Sequence, residues 1–327
     1  MGKSKQFILY YRAVKAFLFF VSRLFIRLND SYIKKPIPVD NVNMDTVKTK
    51  MFNFWQKELH ASEKTCEDWI NYALNYQHYQ SVLKDIKQKL GNLKGLRVLD
   101  AGCGWGTLSV LLQKEGVSLT FIDHFDVHVE VTKERLGDGE GFCCDLRNMQ
   151  GVLKDDSYDL IIAHAVIEHI GSFGNNGYRG DASSSLNDKL MFVKELHRVL
   201  KPGGQVFMST GNYNYPIDGE VNVCCFHWLP DKYQREILKD IALNADNYGL
   251  LKWAQLEKLV LEAGLQISEI AKIDVKFFKN VVLLLAPIIS VFIPNITPKL
   301  VDVVLHMLEN DPNAMPAWNV FLTKPKG

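Results

Sequence analysis

The sequence has almost no net charge: 38 lysines and arginines stand against 37 aspartates and glutamates, a formal balance of +1. A protein that follows a phosphate backbone carries a strongly basic surface, so the overall charge offers nothing to nucleic acid. Cysteines are few and badly spaced for metal. There are six, including the vicinal pairs Cys143-Cys144 and Cys224-Cys225, and no C-x-x-C. The usual zinc spacings are therefore absent and no metal site is expected. A reduced, cytoplasmic setting suits such cysteines. No stretch offers the ~20 uninterrupted apolar residues that a spanning helix needs. Internal repeats and low-complexity tracts are also missing. What remains is a 327-residue chain with 47% hydrophobic residues, enough for one large domain with appendages.

The most informative stretch runs from Leu96 to Asp123. A short apolar run, Arg97-Val98-Leu99-Asp100-Ala101, leads into the turn Gly102-Cys103-Gly104-Trp105-Gly106. Helical spacing follows (Leu108, Leu111, Leu112), then a second apolar run, Leu119-Thr120-Phe121-Ile122, which ends on Asp123. The pattern is strand, tight turn, helix, strand, a right-handed βαβ unit. Glycines in the turn let a ligand approach the main chain. The helix that starts near Thr107 directs free N–H groups and the positive end of its dipole at that ligand. A carboxylate at position 123 is placed to accept ribose hydroxyls. The unit is expected to bind a nucleoside-containing cofactor.

The glycine spacing is G-x-G-x-G, not the G-x-G-x-x-G of dinucleotide sites, and Asp100 lies two positions before the first glycine. D-x-G-x-G-x-G resembles motif I of the class I S-adenosylmethionine (SAM) methyltransferases. Two further landmarks follow in order. Tyr158-Asp159-Leu160-Ile161-Ile162-Ala163-His164 is an apolar strand that breaks into Ala165-Val166-Ile167-Glu168-His169-Ile170, similar to motif IV. A helix from Asp188 to Leu200 is expected to run into Leu200-Lys201-Pro202-Gly203-Gly204, where Pro202 stops the helix and the glycines turn the chain before the next strand. The resemblance covers roughly residues 90–274 and the last ten.

It implies an α/β fold: a seven-stranded Rossmann-like sheet with the last strand antiparallel, preceded by helices. It also implies S-adenosyl-L-methionine as cofactor, held by Asp100, Gly102, Cys103, Gly104, Gly106, Asp123, His124 and His164. In the family pattern Asp145 meets the adenine amino group and Leu146 packs on the ring. His164, Glu168 and His169 fall near the transferred methyl. His169 is a candidate general base, because histidine titrates near neutral pH; the alternative is that it only holds its loop. His227, in the run Phe226-His227-Trp228-Leu229-Pro230, is a second candidate. That run, with Asp218 and Glu220, is similar to bacterial methyltransferases of polysaccharide-synthesis gene clusters. It departs from them where Val221 follows Glu220 and a histidine would be usual.

Around this domain, 91–327, the chain carries three other features. Residues 1–35 hold eight basic residues and one acid. Arg12, Lys15, Arg23 and Arg27 fall on one side of a helix over 7–28, opposite Phe17, Val21, Leu24, Phe25 and Leu28. This is a basic amphipathic helix of the kind that lies on a membrane surface. It has neither the core and cleavage site of a signal peptide nor Ser or Thr at position 6 for myristoylation. Residues 36–90 read as a linker and lead-in helices. Between the strand at 265–273 and the last strand at 318–323 lies an apolar insertion, 275–316, with Val281–Ile293 too short and too broken by Pro287 to span a bilayer. The two apolar elements, 7–28 and 277–293, either meet the inner face of a membrane or pack on the protein itself. Residues 175–185 and 211–250 are expected to form substrate loops.

The expected function is methyl transfer to a hydroxyl of a glycan or lipid-linked glycan. A lipid, quinone or other small-molecule acceptor is the alternative, and a SAM-binding scaffold without catalysis is another. An N-P-P-Y motif, which would point to nucleic-acid methylation, is absent after the fourth strand.

Overall fold

The structure is a computed structural model, and it describes residues 42–137, 139–171, 182–214, 249–271 and 317–326. The chain divides into two compact units. One comprises Lys35–Gly211, Glu236–Ala271 and Ala317–Gly327, and nearly all the described residues belong to it. Of the other, only residues 212–214 are described. The expected amphipathic helix over 7–28, the apolar insertion and most of the 211–250 loop lie outside the described residues.

The lead-in region folds as three helices: α1 (Met44–Leu59), α2 (Glu63–Ala73) and α3 (Tyr76–Leu90). Each starts where a side chain caps it. Asn43, Ser62 and Asn75 accept hydrogen bonds from the N–H groups of Asp45, Thr65 and His78, which satisfies donors the first turn leaves free. The alternating part follows as β1 (Arg97–Ala101), α4 (Thr107–Lys114), β2 (Ser118–Asp123), α5 (Asp126–Leu136), β3 (Glu140–Cys143), β4 (Tyr158–His164), α6 (Ala182–Val199) and β5 (Leu200–Gly211). Then come α7 (Trp253–Glu262), β6 (Gln266–Ile270) and β7 (Ala317–Thr323).

These strands make one seven-stranded sheet in the order β3-β2-β1-β4-β5-β7-β6. The first five pair in parallel, and β7 is antiparallel to both β5 and β6. The expected seven-stranded sheet with an antiparallel last strand is therefore what forms. β4 is central and buries Leu160, Ile161, Ile162 and Ala163 completely, as its unbroken apolar run requires. The order reverses between β1 and β4, which opens a crevice at the carboxyl ends of those strands.

Two local expectations are corrected. The helix read as starting at Asp188 starts at Ala182, so the expected loop 175–185 ends earlier; the serines at 183–185 continue the helix. Lys201-Pro202-Gly203-Gly204 is not a turn before the strand but lies within β5. There β4 pairs Tyr158 with Leu200 and then Leu160 with Gln205, so the extra residues bulge out of the ladder.

One core joins the sheet to the helices on its α3/α4 side, built on Ile86, Leu93, Val98, Leu112, Leu160, Ile162, Phe207 and Phe321. Phe207 is fully buried and meets Phe321 edge-on, with ring centroids 5.3 Å apart. Phe207→Ala would remove a buried ring contact between the parallel half of the sheet and β7, leaving the strand pairing in place. It is expected to lower unfolding stability by about 3–5 kcal/mol, read as a drop in the urea midpoint without a change in slope.

Candidate functional site

The site is built at the carboxyl ends of β1, β2 and β4. β1 delivers Asp100 and runs into the glycine turn, whose N–H groups at Gly102 and Cys103 return to the carbonyl of Ile122 on β2, at 2.8 and 3.0 Å. The turn is thereby clamped to the neighbouring strand. Gly106 caps α4 from the left-handed region, φ +77°, and a Cβ there would stand 2.6 Å from Thr132 Oγ1. Gly104 differs. Its φ is +50°, yet a Cβ would meet nothing within 4 Å. The crowded glycine is closed by the protein's own α5, whereas at Gly104 the backbone faces open space that a ligand can enter. Trp105 turns the other way, into the cluster of Phe54, Trp55 and His128 under α1.

Two buried carboxylates flank the turn and behave oppositely. Asp100 is 2% exposed, and the Ser109 hydroxyl of α4 donates to its Oδ2 at 2.5 Å. Burial, reinforced by the nearby negative Asp123, pushes its carboxyl up to about 7; the Ser109 bond only partly offsets this. Asp123 ends β2. Burial alone would raise its carboxyl too, but the charge and hydrogen bond of His128, with the N–H groups of Phe125 and Gly104, outweigh it and hold the group below the ordinary range. Oδ1 accepts from His128 Nδ1 at 2.9 Å and Phe125 N–H at 3.0 Å, and Oδ2 accepts from Gly104 N–H at 2.9 Å. Asp123 is thus a fixed anion, while Asp100 is a carboxyl that a neighbouring cation would ionise. A ligand carrying a cationic group and a pair of hydroxyls fits this combination.

His128, five residues beyond Asp123 on α5, was not among the sequence-derived site residues. Its Nδ1 faces Asp123 Oδ1, and its Nε2 is buried with no hydrogen-bond partner among the described residues. Arg135 was also missed. It is 3% exposed, and its guanidinium donates to the carbonyl of Trp105, to Thr107 Oγ1 at 3.0 Å and to Tyr76 Oη at 2.8 Å. It locks the glycine turn to α3. Neither residue belongs to a short motif, so only the fold could bring them in.

The remaining expected residues have the following surroundings. Cys103 is buried in the turn, and burial, with the charges of Asp123 and Asp100, keeps its thiol strongly protonated. His124 follows Asp123 and sets its ring 5.3 Å from that of Phe125. Leu146 is buried beyond β3. Asp145 lies beside it, with its carboxylate held by Arg147 through Nε at 3.0 Å and Nη2 at 2.7 Å. Arg147 also reaches Asp188 at 3.0 Å.

At the end of β4 the chain makes an abrupt turn. Ala165 adopts φ +53°, a left-handed conformation that costs a side-chain-bearing residue roughly 1–2 kcal/mol. Such strain clusters at functional sites. The turn beyond it is held from below by Lys189 of α6, 1% exposed, whose ammonium donates to the carbonyls of Ile170 at 2.7 Å and Glu168 at 3.4 Å. Burial pulls its amine down to about 8 even though Glu168 and Asp188 favour its charge. His169 rides on this turn, its N–H bonded to the carbonyl of Val166 at 2.9 Å. His164 does not face the turn: both its ring nitrogens meet protein groups, Ser209 Oγ and His78 Nε2. His227, the other expected base, lies outside the described residues. Among the described residues no cluster of three metal-binding side chains occurs, and no helix is long and apolar enough to cross a membrane.

Comparison with known proteins gives this geometry a context. A family model described as a methyltransferase domain matches residues 76–270, more than half of the chain. A ubiquinone biosynthesis O-methyltransferase of Coxiella burnetii is 28% identical over 171 residues, 50% of this chain and 65% of the relative. The chain therefore spans just under two thirds of that relative's length. A protein of the same description from Rickettsia prowazekii is 23% identical over 238 residues, 69% of this chain and 83% of the relative. Among solved structures, phosphoethanolamine N-methyltransferase 2 of Haemonchus contortus, in complex with S-adenosyl-L-methionine, aligns with 86% of this chain and 57% of its own at 16% identity and a TM-score of 0.47.

Proposed function

The chain belongs to the methyltransferase-domain family, and we propose that it transfers a methyl group from S-adenosylmethionine to a hydroxyl oxygen of a small phenolic acceptor of the quinone-precursor kind. The observation that carries the cofactor half is the contrast within the glycine turn. Gly104 faces open space between a fixed anion, Asp123, and an ionisable buried carboxyl, Asp100. S-adenosylmethionine carries both a ribose and an ammonium, and it has no pyrophosphate that would need a longer glycine loop.

When bound, the cofactor supplies a methyl group on a positively charged sulfur. The protein's part is to bind, orient and exclude water. Asp123 would accept from the ribose hydroxyls. Asp100 would take the ammonium. Asp145 and Leu146 would border the adenine, with Arg147 setting the Asp145 carboxylate. The strained turn at Ala165 and the lysine-braced loop behind it would wall the cofactor from the acceptor.

The acceptor half rests on the relatives, both of which are named ubiquinone biosynthesis O-methyltransferases. A glycan acceptor drew on residues 217–230 and its lipid link on 7–28 and 277–293, all outside the described residues, whereas the two relatives are named for quinone biosynthesis. Peripheral attachment to a membrane through 7–28 and 277–293 likewise concerns residues outside the described set. It would suit a prenylated, lipid-soluble acceptor.

The test is methyl transfer from labelled S-adenosylmethionine to two probes offered in parallel, a catechol with a prenyl chain and a polyprenyl-linked sugar. Label on the catechol oxygen supports the reading. Label on the sugar alone replaces the acceptor and keeps the chemistry. Binding of the cofactor without label on any acceptor would leave a scaffold and end the enzymatic reading.

A further inference from the structure

At the carboxyl ends of β4 and β5, next to the candidate site, three side chains from three elements form a continuous hydrogen-bonded line. Ser209 Oγ on β5 meets His164 Nδ1 on β4, and His164 Nε2 meets His78 Nε2 on α3 at 3.1 Å. Ser209 Oγ also receives the N–H of Ala165 at 3.2 Å, so the strained turn fixes where that hydroxyl sits. The Asn75 cap, which accepts the N–H of His78 at 3.2 Å, fixes the other end. The rings of Tyr72 and Tyr79 border the two imidazoles at 5.5 and 5.6 Å. No sequence motif assigned His78 or Ser209 a part in the chemistry.

Two nitrogens cannot hydrogen-bond unless one carries the proton and the other does not. With both rings neutral, two arrangements satisfy the line. In one, the Ser209 hydroxyl donates to His164 Nδ1, His164 Nε2–H donates to His78 Nε2, and the outer Nδ1 of His78 carries a proton. In the other, every bond is reversed: the outer Nδ1 of His78 is a bare lone pair, His78 Nε2–H donates to His164 Nε2, and His164 Nδ1–H donates to Ser209 Oγ. The two differ only in which end holds the mobile proton. No charge is left on a buried ring in either. That matters because burial, with the neighbouring His78, drives His164 down to about 3, and burial lowers His78 as well.

We propose that His78, His164 and Ser209 form a proton relay, with half-buried His78 as the end that takes the proton from the acceptor hydroxyl. As the acceptor's O–H bond breaks, its electron pair stays on oxygen and the proton binds His78 Nδ1. The Nε2 proton of His78 passes to His164 Nε2, the Nδ1 proton of His164 passes to Ser209 Oγ, and the hydroxyl's own proton leaves to water. Each ring gains one proton and loses one. His78 is then a catalytic residue, and His164 and Ser209 are positioning residues acting through it. The part played in the reaction rests on the methyl-transfer reading. The relay itself can be tested without it.

The experiment uses the full chain with nitrogen-15 in its histidines. The expected result is a scalar coupling across the hydrogen bond between His78 Nε2 and His164 Nε2, with both rings neutral at pH 8. Ser209→Ala is expected to change the tautomer balance of His78, two links away, and Ser209→Thr to restore it. Absence of the coupling, or a His78 tautomer indifferent to Ser209→Ala, overturns the relay. In turnover with the prenyl catechol, His78→Ala is expected to lower kcat about a hundredfold, with KM for S-adenosylmethionine little changed and partial rescue by added imidazole. If the coupling is present and His78→Ala keeps full kcat, the line is structural and its role in the reaction is overturned. If the wild-type chain does not methylate the catechol, the acceptor reading fails, and the nitrogen spectra still decide the relay.

Discussion

Gly104→Asn is expected to weaken binding of S-adenosylhomocysteine about a hundredfold or more while leaving the free protein within about 1 kcal/mol of wild-type stability. Asparagine is among the residues that tolerate the left-handed region, so φ +50° at this position costs it little. A Cβ there meets no protein atom within 4 Å, and the N–H bond to Asp123 Oδ2 is kept because it belongs to the backbone. The added side chain therefore enters only the space reserved for the ligand. At a ligand concentration one hundred times the wild-type dissociation constant, wild type gains about 2.7 kcal/mol of stability, and a variant a hundredfold weaker gains about 0.4 kcal/mol. Gly106→Asn should do the reverse and damage the fold, since its Cβ collides with Thr132. If Gly104→Asn binds as tightly as wild type, the ligand does not approach the turn at this glycine.

The affinity for S-adenosylhomocysteine is expected to rise steeply with pH up to about 7 and then level. Asp100 holds its proton up to about 7 because burial disfavours the anion, whereas a cationic ligand group demands the ionised form. Below that value, binding must expel the proton, so the dissociation constant falls by close to about tenfold for each pH unit gained. The ligand's own amine, with an ordinary value near 8, stays mostly charged up to about pH 7, the range over which Asp100 gains its charge. For stability the sign is opposite. The unfolded chain loses this proton near the ordinary carboxyl value of 3.8 and the folded chain only near 7. Folding is therefore penalised progressively as pH rises between the two values and evenly above them. Ser109→Ala removes the one donor that favours the anion, so the bend in the affinity profile should move to higher pH. Asp100→Asn should bind weakly at every pH with no bend. A profile in wild type that is flat from pH 5 to 8, measured by titration calorimetry, would remove Asp100 from the ligand's cationic end.

Both predictions start from residues that the sequence made visible, because their chemistry is local. Asp100, Gly104 and Gly106 are neighbours in the chain, and the spacing of the strand, turn and helix around them is enough to place Asp123 at the end of the next strand. The sheet was legible for the same reason. β4 is apolar throughout because both its faces are covered, and each parallel strand pairs as the βαβ pattern requires. What was not legible depends on contacts between distant segments. His128 reaches Asp123 only through the pitch of α5, and Arg135 reaches Trp105 and Tyr76 only once α5, the glycine turn and α3 are packed together. His78 and His164 are 86 residues apart and meet because the Asn75 cap sets where α3 begins. His164 looked like a residue for the cofactor because it ends β4; the structure gives both its nitrogens to other side chains. Lys201-Pro202-Gly203-Gly204 looked like a turn because proline and glycine usually make one, yet β5 takes the four residues in as a bulge.

The most direct test of the account is a calorimetric titration of the full chain with S-adenosylhomocysteine and, separately, with NAD. The glycine turn, the fixed Asp123 and the ionisable Asp100 predict one-to-one binding of S-adenosylhomocysteine, lost in Gly104→Asn, and no heat with NAD. Binding of NAD without S-adenosylhomocysteine, or of neither, would contradict it.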